Sequence, residues 1–590
     1  MFNNRKFFLS LVASAILLSA SAYAQTITYD SSSAIIPAPM SAGVSRMNSK
    51  VSWSQEYTEP TNSEIQKIIG TDGGGFFALR QRKGGFLGTG TVRPVIEHYN
   101  AQSKLIKSQE IDLDYKGNER YLKDVVMVGG KIFVLSYYYN QKYTTTYLFA
   151  QEVQKGSLKM NTTLNKIAER EGSNKSREDF FHFTLARDSS KIAIFNTQPS
   201  GNDKEEFSVS VFNSDFTEQW ARISKLPYTS KRFKIEETQL DNKGNFYILG
   251  KIFAGKGVDK NNTKGVRQTF QYDLFAFRND SLKDFDEYKV VVSDKLVSDL
   301  TFRIAEEDDL VLAGFYSEKS SVGVKGSCFF KINARTKDMT SISTRPLDFN
   351  FITANFSAKD KERAKLAADS NNKLGEAELL NYNLDKLILR SDGGAILIAE
   401  QYYVEERIRN NSPFYGGYPG FGFGGLSRYG YGYNPYGYNG YGNNARPDYY
   451  FHYNDIIVLN IRPDGDIEWT ARIPKRQMSV NDYGLNSSYA QCTIADKLVF
   501  IYNEDARNLK QNKRKQIEEE PDKTSVVAAA EVDKNGNVTI APLFGNNGEN
   551  IVTRPKICRQ IGKKEMAIYG EHGRTYKFGS IVFDRTVAPN

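Results

Sequence analysis

The chain has 590 residues, of which 40% are hydrophobic and 25% are charged, a balance typical of a folded globular protein and not of a disordered one. Aromatic residues reach 13%, which favours β-structure because rings pack well on pleated sheets. The net charge of +9 is a small excess of 78 basic over 69 acidic residues, and only one short basic run occurs. Nucleic acid is therefore not an expected partner.

Residues 1–24 have the pattern of a secretory signal peptide. Arg5 and Lys6 precede the apolar stretch 7–20, and Ala22-Tyr23-Ala24 supplies the small residues that precede a cleavage site. An uncleaved N-terminal anchor is the alternative. No later stretch approaches the length of a membrane-spanning helix, so we expect no transmembrane segment in the mature chain. The sequence predicts an exported protein of the periplasm, the outer membrane or the cell surface.

A hairpin recurs eight times along the chain: a strand, a tight polar turn and a short apolar run. Gly, Asn and Asp accept the positive φ angles of such turns, and continuous apolar runs suit strands that are buried on both faces. One apolar residue near the start of each run marks the repeat: Phe76, Ile132, Ile192, Phe246, Leu310, Ile396, Leu498 and Met566. The markers are spaced by about 54 to 68 residues, with two wider gaps, which fits four-stranded propeller blades and their loops.

A second type of hairpin carries Trp220 or Trp469 in its last strand. Its turns are rich in Asp, Asn and Gly but lack the spacing of an EF-hand, so we interpret them as β-turns and predict no metal site. Near the mature N-terminus, Val51-Ser52-Trp53 is similar to Ile467-Glu468-Trp469, whereas the last blade ends after its third strand at 575–584. We therefore expect the N-terminal strand to complete the last blade, with Trp53, Trp220 and Trp469 at equivalent positions of the repeat.

In repeat length, turn chemistry and closure, residues 50–585 resemble the eight-bladed β-propellers of the bacterial cell envelope. These include the quinoprotein alcohol dehydrogenase type and a lipoprotein of outer-membrane assembly. The predicted fold is all-β, a single eight-bladed propeller that an N-terminal strand closes. The quinoprotein family has Trp-docking motifs in most blades and an adjacent Cys pair, whereas this chain has 3 Trp and no adjacent Cys pair. Its cofactor is therefore not carried over, and we predict no cofactor.

The predicted boundaries are a signal peptide at 1–24, a lead segment at 25–50, the propeller at 51–586 and a tail at 587–590. Long connections are expected at one end of the sheets, where loops can carry function. They include a helical insertion at 351–387, around the helix-forming stretch 357–370, and a flexible Gly/Tyr-rich loop at 410–444.

Tyr and Phe on a glycine-rich loop can form adaptable contacts, so the loop at 410–444 is a candidate for binding a partner. A neutral low-complexity expansion is the alternative. The candidate binding residues are Tyr415, Tyr418, Phe421, Phe423, Tyr429, Tyr431, Tyr433, Tyr436, Tyr438 and Tyr441.

Residues that could carry catalysis are few. The four histidines are His98, His182, His452 and His572, none in a metal-ligand spacing, and the first three have contexts that suggest packing. No nucleophile elbow, phosphate loop or dinucleotide loop occurs. Cys328, Cys492 and Cys558 are expected to be free thiols, with a bridge between the last two as the alternative. No catalytic residue is predicted.

These observations favour a non-catalytic exported propeller that binds an envelope or outer-membrane protein as a scaffold. A hydrolase or lyase that acts on extracellular polysaccharide is the first alternative, because two distant carboxylates can form such a site without a local motif. A glycan-binding module is the second alternative.

Overall fold

The structure, a computed structural model, describes residues 47–585 except for 84–91, 116, 172–180, 199–203, 230, 255–269, 282, 293–294, 306–308, 319–322, 334–335, 371–376, 409–446, 510–524 and 546–550. Most of the described residues lie in strands that form eight antiparallel sheets, and we call their four successive strands A to D. The chain divides into two compact units. The first holds residues 47–290 and 557–585 of the described chain, and the second holds residues 291–556.

The first unit begins with β1 (Met47–Trp53) and β2 (Tyr57–Thr58) and continues through four sheets. Blade 1 consists of β3 (Ser63–Thr71), β4 (Gly75–Lys83), β5 (Val92–Asn100) and β6 (Leu105–Glu110), followed by the hairpin of β7 (Asp114–Tyr115) and β8 (Asn118–Glu119). Blade 2 consists of β9 (Tyr121–Val128), β10 (Lys131–Asn140), β11 (Thr145–Val153) and β12 (Asn165–Glu171). Blade 3 consists of β13 (Phe181–Leu185), β14 (Lys191–Gln198), β15 (Lys204–Asn213) and β16 (Glu218–Thr229). Blade 4 consists of β17 (Phe233–Leu240), β18 (Phe246–Phe253), β19 (Phe270–Phe277) and β20 (Asp286–Val290).

The second unit contains three sheets and the helices. Blade 5 consists of β21 (Lys295–Ile304), β22 (Leu310–Glu318), β23 (Gly326–Ile332) and β24 (Met339–Pro346), and helices α1 (Phe349–Ile352) and α2 (Ala358–Asp369) follow it. Blade 6 consists of β25 (Tyr382–Leu389), β26 (Ala395–Ile408), β27 (Pro447–Ile461) and β28 (Ile467–Ile473), with β29 (Gln477–Val480) as a fifth strand. Blade 7 consists of β30 (Ala490–Ile494), β31 (Lys497–Asp505), β32 (Ser525–Val532) and β33 (Val538–Gly545). The short helix α3 (Ala506–Leu509) follows β31, and the short strand β34 (Val552–Thr553) follows β33 without belonging to this sheet.

Blade 8 returns to the first unit and takes its fourth strand from the start of the described chain. It contains β35 (Arg559–Gly562), β36 (Glu565–His572) and β37 (Thr575–Arg585), and β1 pairs antiparallel with β37. Val51 lies opposite Ile581, and Trp53 lies opposite Gly579. The predicted fold class, an all-β eight-bladed propeller whose last blade an N-terminal strand completes, is confirmed by these sheets.

The eight predicted hairpins are the A and B strands of the eight blades, and every marker residue lies in a B strand and is at most 5% exposed. Continuous apolar runs suit these strands because a strand that is covered on both sheet faces carries apolar side chains at successive positions. Buried side chains of adjacent blades form shared cores within each unit, for example between blades 3 and 4 and between blades 6 and 7. The apolar core therefore lies between successive sheets.

Two predicted boundaries need correction, and two predicted segments lie outside the described residues. β1 begins at Met47, so the last residues of the predicted lead segment at 25–50 belong to a blade strand. The predicted insertion at 351–387 is too long, because β25 starts at Tyr382, where alternating apolar residues begin to pair with β26. The predicted helix at 357–370 corresponds to α2, which Ser357 caps by accepting a hydrogen bond from the Asp360 N–H. The signal peptide and the tail at 587–590 lie outside the described residues.

Of the helices that the structure describes, none combines the length and the apolar character needed to cross a bilayer.

Candidate functional site

Strands β26 and β27 extend beyond the other strands of blade 6. They stay paired as far as Ile408 and Pro447, whereas the pairing of β25 with β26 stops at Gln401. β29 pairs with residues 450–453 of β27 and adds a third strand to the projection. We call this projecting sheet the arm: residues 401–408 of β26, residues 447–454 of β27, and β29. It belongs to the connection between strands B and C, where the sequence predicts functional loops.

One face of the arm is a ladder of rings and paired ions. The rings of Tyr403 and His452 stack with centroids 4.4 Å apart. The Arg407 guanidinium lies 4.1 Å from the centroid of Tyr450 and donates two hydrogen bonds of 2.8 Å to the carboxylate of Glu405. These hydrogen bonds, aided by the Arg407 charge and by His452, hold the pKa of Glu405 below its usual value. The four ring and guanidinium groups are therefore held in position while remaining partly or fully exposed.

The other face of the arm packs aromatic side chains against the loop that follows β29. Tyr402 and Tyr453 are in contact with ring centroids 4.6 Å apart, and Phe451 contacts Tyr483, whose side chain is half exposed. Burial raises the pKa of Tyr402 to about 12 and that of Tyr453 well above its usual value. Both phenols are therefore neutral at physiological pH and act as hydrogen-bonding groups.

Lys556 fixes this loop to the arm. Its ammonium lies 4.5 Å from the centroid of Tyr453, donates to the Tyr453 hydroxyl at 3.0 Å and donates to the Gly484 carbonyl at 2.9 Å. Desolvation by the surrounding groups lowers the pKa of Lys556 to about 8, and the nearby positive charge of Arg554 acts in the same direction. The contacts join β27 and the loop after β29 to the connection before blade 8.

A buried ion pair supports the base of the arm. Lys475 is 1% exposed and its Nζ lies 2.7 Å from Oε1 of Glu400, which is 4% exposed. The same ammonium donates to the Tyr453 carbonyl at 2.9 Å and to Oε1 of Gln477 at 3.0 Å. The Ser488 hydroxyl donates to Oε2 of Glu400 at 2.7 Å. These contacts link the B strand of blade 6 to β27, β29 and the loop after β29 at the base of the arm.

The helical insertion is fixed to blade 6 next to the arm. Arg472 donates to Oδ2 of Asp455 at 2.9 Å, to the Tyr382 hydroxyl at 3.0 Å and to the Phe351 carbonyl at 2.7 Å. The Asn355 amide also donates to Oδ2 of Asp455. One arginine thus links the segment around α1 to a blade strand, while Ile352 and Ala364 enter the core of blades 5 and 6.

A surface recess of about 430 Å³ lies on the insertion. Phe356 and Leu380 in its lining are 37% and 40% exposed, so the recess offers apolar surface to a ligand. The Leu380 carbonyl accepts a hydrogen bond of 3.0 Å from Nε2 of Gln401, which places the recess beside the start of the arm. The lining residues are Asn355, Phe356, Ser357, Asp360, Arg363, Ala364, Ala377, Glu378 and Leu380.

A carboxylate cluster between blades 8 and 1 is held by an arginine. Arg80 donates to Oε1 of Glu97 at 2.7 Å and also bonds Glu59, and Tyr99 donates to Glu97 at 2.7 Å. Burial raises the pKa of Glu59 even though the Arg80 charge opposes this. Arg80 and Glu97 are 1% and 3% exposed, so this pair is closed to a substrate.

A second carboxylate pair lies on β19 and β20. The Tyr228 hydroxyl lies 2.7 Å from Oδ2 of Asp273 and 3.0 Å from Oε1 of Glu287. Burial, together with the Glu287 charge, raises the pKa of Asp273. Asp273 is 0% exposed, so it cannot act on a bound substrate in this conformation.

Trp220 and Trp469 dock on the same type of turn. The indole N–H of Trp220 donates at 2.8 Å to the Gly244 carbonyl, and that of Trp469 donates at 2.8 Å to the Lys534 carbonyl. Both turns read Asp-x-x-Gly-Asn, at residues 241–245 and 533–537, and both glycines have φ above +80°. In each turn the Asp carboxylate accepts from two backbone N–H groups and from the Asn amide. The carboxylates of Asp241 and Asp533 are thus used within their own turns.

The remaining candidate residues are placed as follows. The ten aromatic candidates of the loop at 410–444 lie outside the described residues, and their role stays a prediction. Trp53 lies in β1, the fourth strand of blade 8. His98 stacks on Phe77 and contacts Asp72, and His182 stacks on Phe195. None of the three cysteines forms a disulfide. Within the described ranges no group of three or more His, Cys, Asp and Glu side chains is placed to hold a metal ion.

The sequence interpretation missed the arm, and placed His452 only as a packing residue. The available signal was the run of adjacent aromatic residues in QYYVEERI and PDYYFHYN on either side of the Gly/Tyr-rich loop. Because successive residues of a strand point to opposite faces, such runs in two flanking segments place rings on both faces of a hairpin.

No protein-family model matches the sequence, and no curated protein sequence matches it. Among solved structures, the WD40 domain of SCAP from fission yeast is similar at 8% identity and a TM-score of 0.35, covering 91% of this chain and 98% of that one. The β-propeller domain of the Trilobed protease from Pyrococcus furiosus is similar at 9% identity and a TM-score of 0.30, covering 83% and 97%. An α-L-arabinofuranosidase of Fusarium graminearum is similar at 8% identity and a TM-score of 0.28, covering 58% and 92%. Likeness at this level carries no argument about function.

Proposed function

We propose that this protein is a non-catalytic, exported propeller that binds a protein partner at the cell envelope through the arm. The observation that carries the proposal is the ladder of Tyr403, His452, Arg407 and Tyr450, in which Arg407 is exposed and the three rings are partly exposed. Tyr and Arg are enriched in protein interfaces, where rings bury large areas at a low cost in side-chain entropy. Here the ladder is already ordered by stacking and by ion pairing in the free chain.

The base of the arm supports the same proposal. A preorganised surface binds more tightly than a mobile one, because less conformational entropy is lost on association. The ion pair of Lys475 with Glu400 and the contacts of Lys556 hold the three strands against blade 6. Export and an envelope location remain part of the proposal and rest on the signal pattern at 1–24.

The test is affinity purification from native envelopes with the full mature chain, followed by mass spectrometry. The double variant Tyr403→Ala with Tyr450→Ala should lose at least about ten-fold of the recovered partner, since alanine removes the central rings of the ladder. Tyr143→Ala is the matched control, because Tyr143 is an exposed tyrosine of blade 2 that is not part of the arm. Equal recovery with the double variant and with the control would contradict the proposal.

Deletion of residues 410–444 tests the contribution of the loop to binding separately from that of the arm. Loss of the partner in the deletion but not in the double variant would assign binding to the loop. Recovery of polysaccharide instead of protein would favour the glycan-binding alternative.

A further inference from the structure

Within the arm, one edge of β26 has no neighbouring strand among the described residues. On that side the Tyr402 N–H donates to the Asn381 carbonyl at 2.9 Å, which is the last backbone hydrogen bond that the described residues place there. Residues 403–408 pair with β27 on their other side. Within the described part of the chain, no strand pairs with residues 403–408 on the side of Asn381.

The hydrogen bond of Tyr402 also fixes the direction of the following N–H groups. Successive residues of a strand point their N–H groups to opposite sides, and the register with β27 is regular from Tyr402 to Ile408. The N–H groups of Val404 and Glu406 therefore point away from β27, like that of Tyr402. An edge with such groups is a template for another extended segment.

The recess on the insertion lies at the beginning of this edge. Gln401 donates to the Leu380 carbonyl, and Leu380 and Phe356 contribute apolar surface to the recess. A strand that is added along residues 403–408 thus ends beside a cavity of about 430 Å³, large enough for a bulky side chain. An added strand could therefore form backbone hydrogen bonds with β26 and also place one side chain in the recess.

The charge along the edge indicates the composition of that segment. Glu405 is already paired with Arg407, but the exposed Glu406 has no ion pair among the described residues. A basic residue opposite Glu406 would supply the missing charge, and like charges at this position would be unfavourable.

We propose that residues 403–408 of β26 bind an extended segment of a protein partner as an added strand, with an aromatic or large aliphatic anchor in the recess and a Lys or Arg opposite Glu406. This inference rests on the proposed function, because it specifies how the arm binds its protein partner. Strand addition requires backbone hydrogen bonds at Val404 and Glu406. Binding by the side chains of Tyr403 and Tyr450 does not require them.

The experiment uses a phage-displayed library of random dodecapeptides, selected on the full mature chain. Selected peptides are synthesised, and their dissociation constants are measured by fluorescence anisotropy for the unchanged chain, Glu406→Pro and Glu406→Gln. Proline removes the outward N–H and leaves the N–H groups that bond β27, whereas glutamine keeps the N–H and removes the charge. Hydrogen exchange at Val404 and Glu406 is measured with and without peptide.

We expect the selected peptides to contain an apolar anchor and a basic residue. Glu406→Pro should bind them at least about ten-fold more weakly than the unchanged chain, and Glu406→Gln should lose less affinity. Exchange at Val404 and Glu406 should slow at least about ten-fold in the complex, while circular dichroism of Glu406→Pro stays unchanged.

Four outcomes would overturn the inference: a selection that enriches no peptide, equal affinity for Glu406→Pro, amides already protected in the dilute free chain, or protection that depends only on the concentration of the chain itself. The last would show that a second copy occupies the edge. If Glu406→Pro still recovers the envelope partner that the double variant at Tyr403 and Tyr450 loses, the proposed function stands and strand addition fails.

Discussion

In each blade, the short turns between strands A and B and between strands C and D lie at one end of the sheet. In blades 5 and 6, the connections at the other end carry the arm and the insertion. Asp241 and Asp533 at the turn end bond the backbone of their own turns, and Trp220 and Trp469 dock on those turns. At the connection end, rings and ions of the same chemical kinds stack on one another and remain partly exposed.

The comparison shows that residue type alone does not separate structural from binding roles. An Asp or Trp whose polar atoms are satisfied by nearby backbone adds stability and offers little to a partner. A ring or ion that is ordered by another side chain and still exposed can exchange solvent for a partner. Substitutions at the two ends should therefore change different measurable quantities.

The largest effect on stability is expected at the base of the arm. Lys475→Ala leaves the buried carboxylate of Glu400 without its ammonium partner, which should lower the free energy of unfolding by about 3–5 kcal/mol. Urea denaturation followed by circular dichroism measures this change. The double variant Lys475→Met with Glu400→Gln should recover much of the loss, because it leaves no unpaired charge. Equal stability of Lys475→Ala and the unchanged chain would contradict the assigned role of the pair.

A smaller effect is expected at the turn end. Trp469→Phe removes the indole N–H that donates to the Lys534 carbonyl, and Trp220→Phe removes the one that donates to the Gly244 carbonyl. Each should lower the free energy of unfolding by about 1–2 kcal/mol, the value of a hydrogen bond and some packing. Neither should change recovery of the envelope partner. A loss of stability in only one of the two variants would show that the docking sites are not equivalent.

The smallest effect on stability is expected on the face of the arm. Arg407→Gln removes the main cause of the low pKa of Glu405, so that pKa should rise toward 4.5, as measured by NMR titration of the carboxyl carbon. A carboxyl group with a lowered pKa stabilises the fold above its unfolded pKa and loses this contribution as the pH falls through the folded pKa. The variant should therefore lose a little acid-dependent stability, and little else, since both groups are at the surface.

Arg93→Gln is the control for this titration. It breaks an exposed pair with Glu110 on blade 1 and should leave the pKa of Glu405 unchanged. A Glu405 pKa that stays low in Arg407→Gln would mean that His452 is the main partner of Glu405. This result would contradict the assigned pairing of Arg407 with Glu405.

Much of the fold could be predicted from the sequence because each blade repeats a local pattern. Turn residues followed by a continuous apolar run identify every A–B hairpin, and the third strand at 575–584 together with Val51-Ser52-Trp53 predicts the closing pair. The boundary errors at Met47 and Tyr382 arise where strand pairing starts in segments without turn residues.

The site was less predictable. The aromatic run around Tyr403 and Tyr450 is visible in the sequence, but its role depends on which face is covered. The loop that Lys556 contacts covers one face, and β29 extends the edge of the sheet at β27. Neither contact has a local sequence pattern, because the partners are separated by about 25 to 100 residues.

The sequence by itself determined the eight sheets, their order and the strand that completes the last one, because turn chemistry and apolar periodicity act over short stretches of chain. Only the tertiary structure decided that β29 joins the arm, that Lys475 pairs with Glu400 and that Arg472 fixes the insertion. These depend on hydrogen bonds and charges between distant segments, whose energies exist only once the sheets have brought them together.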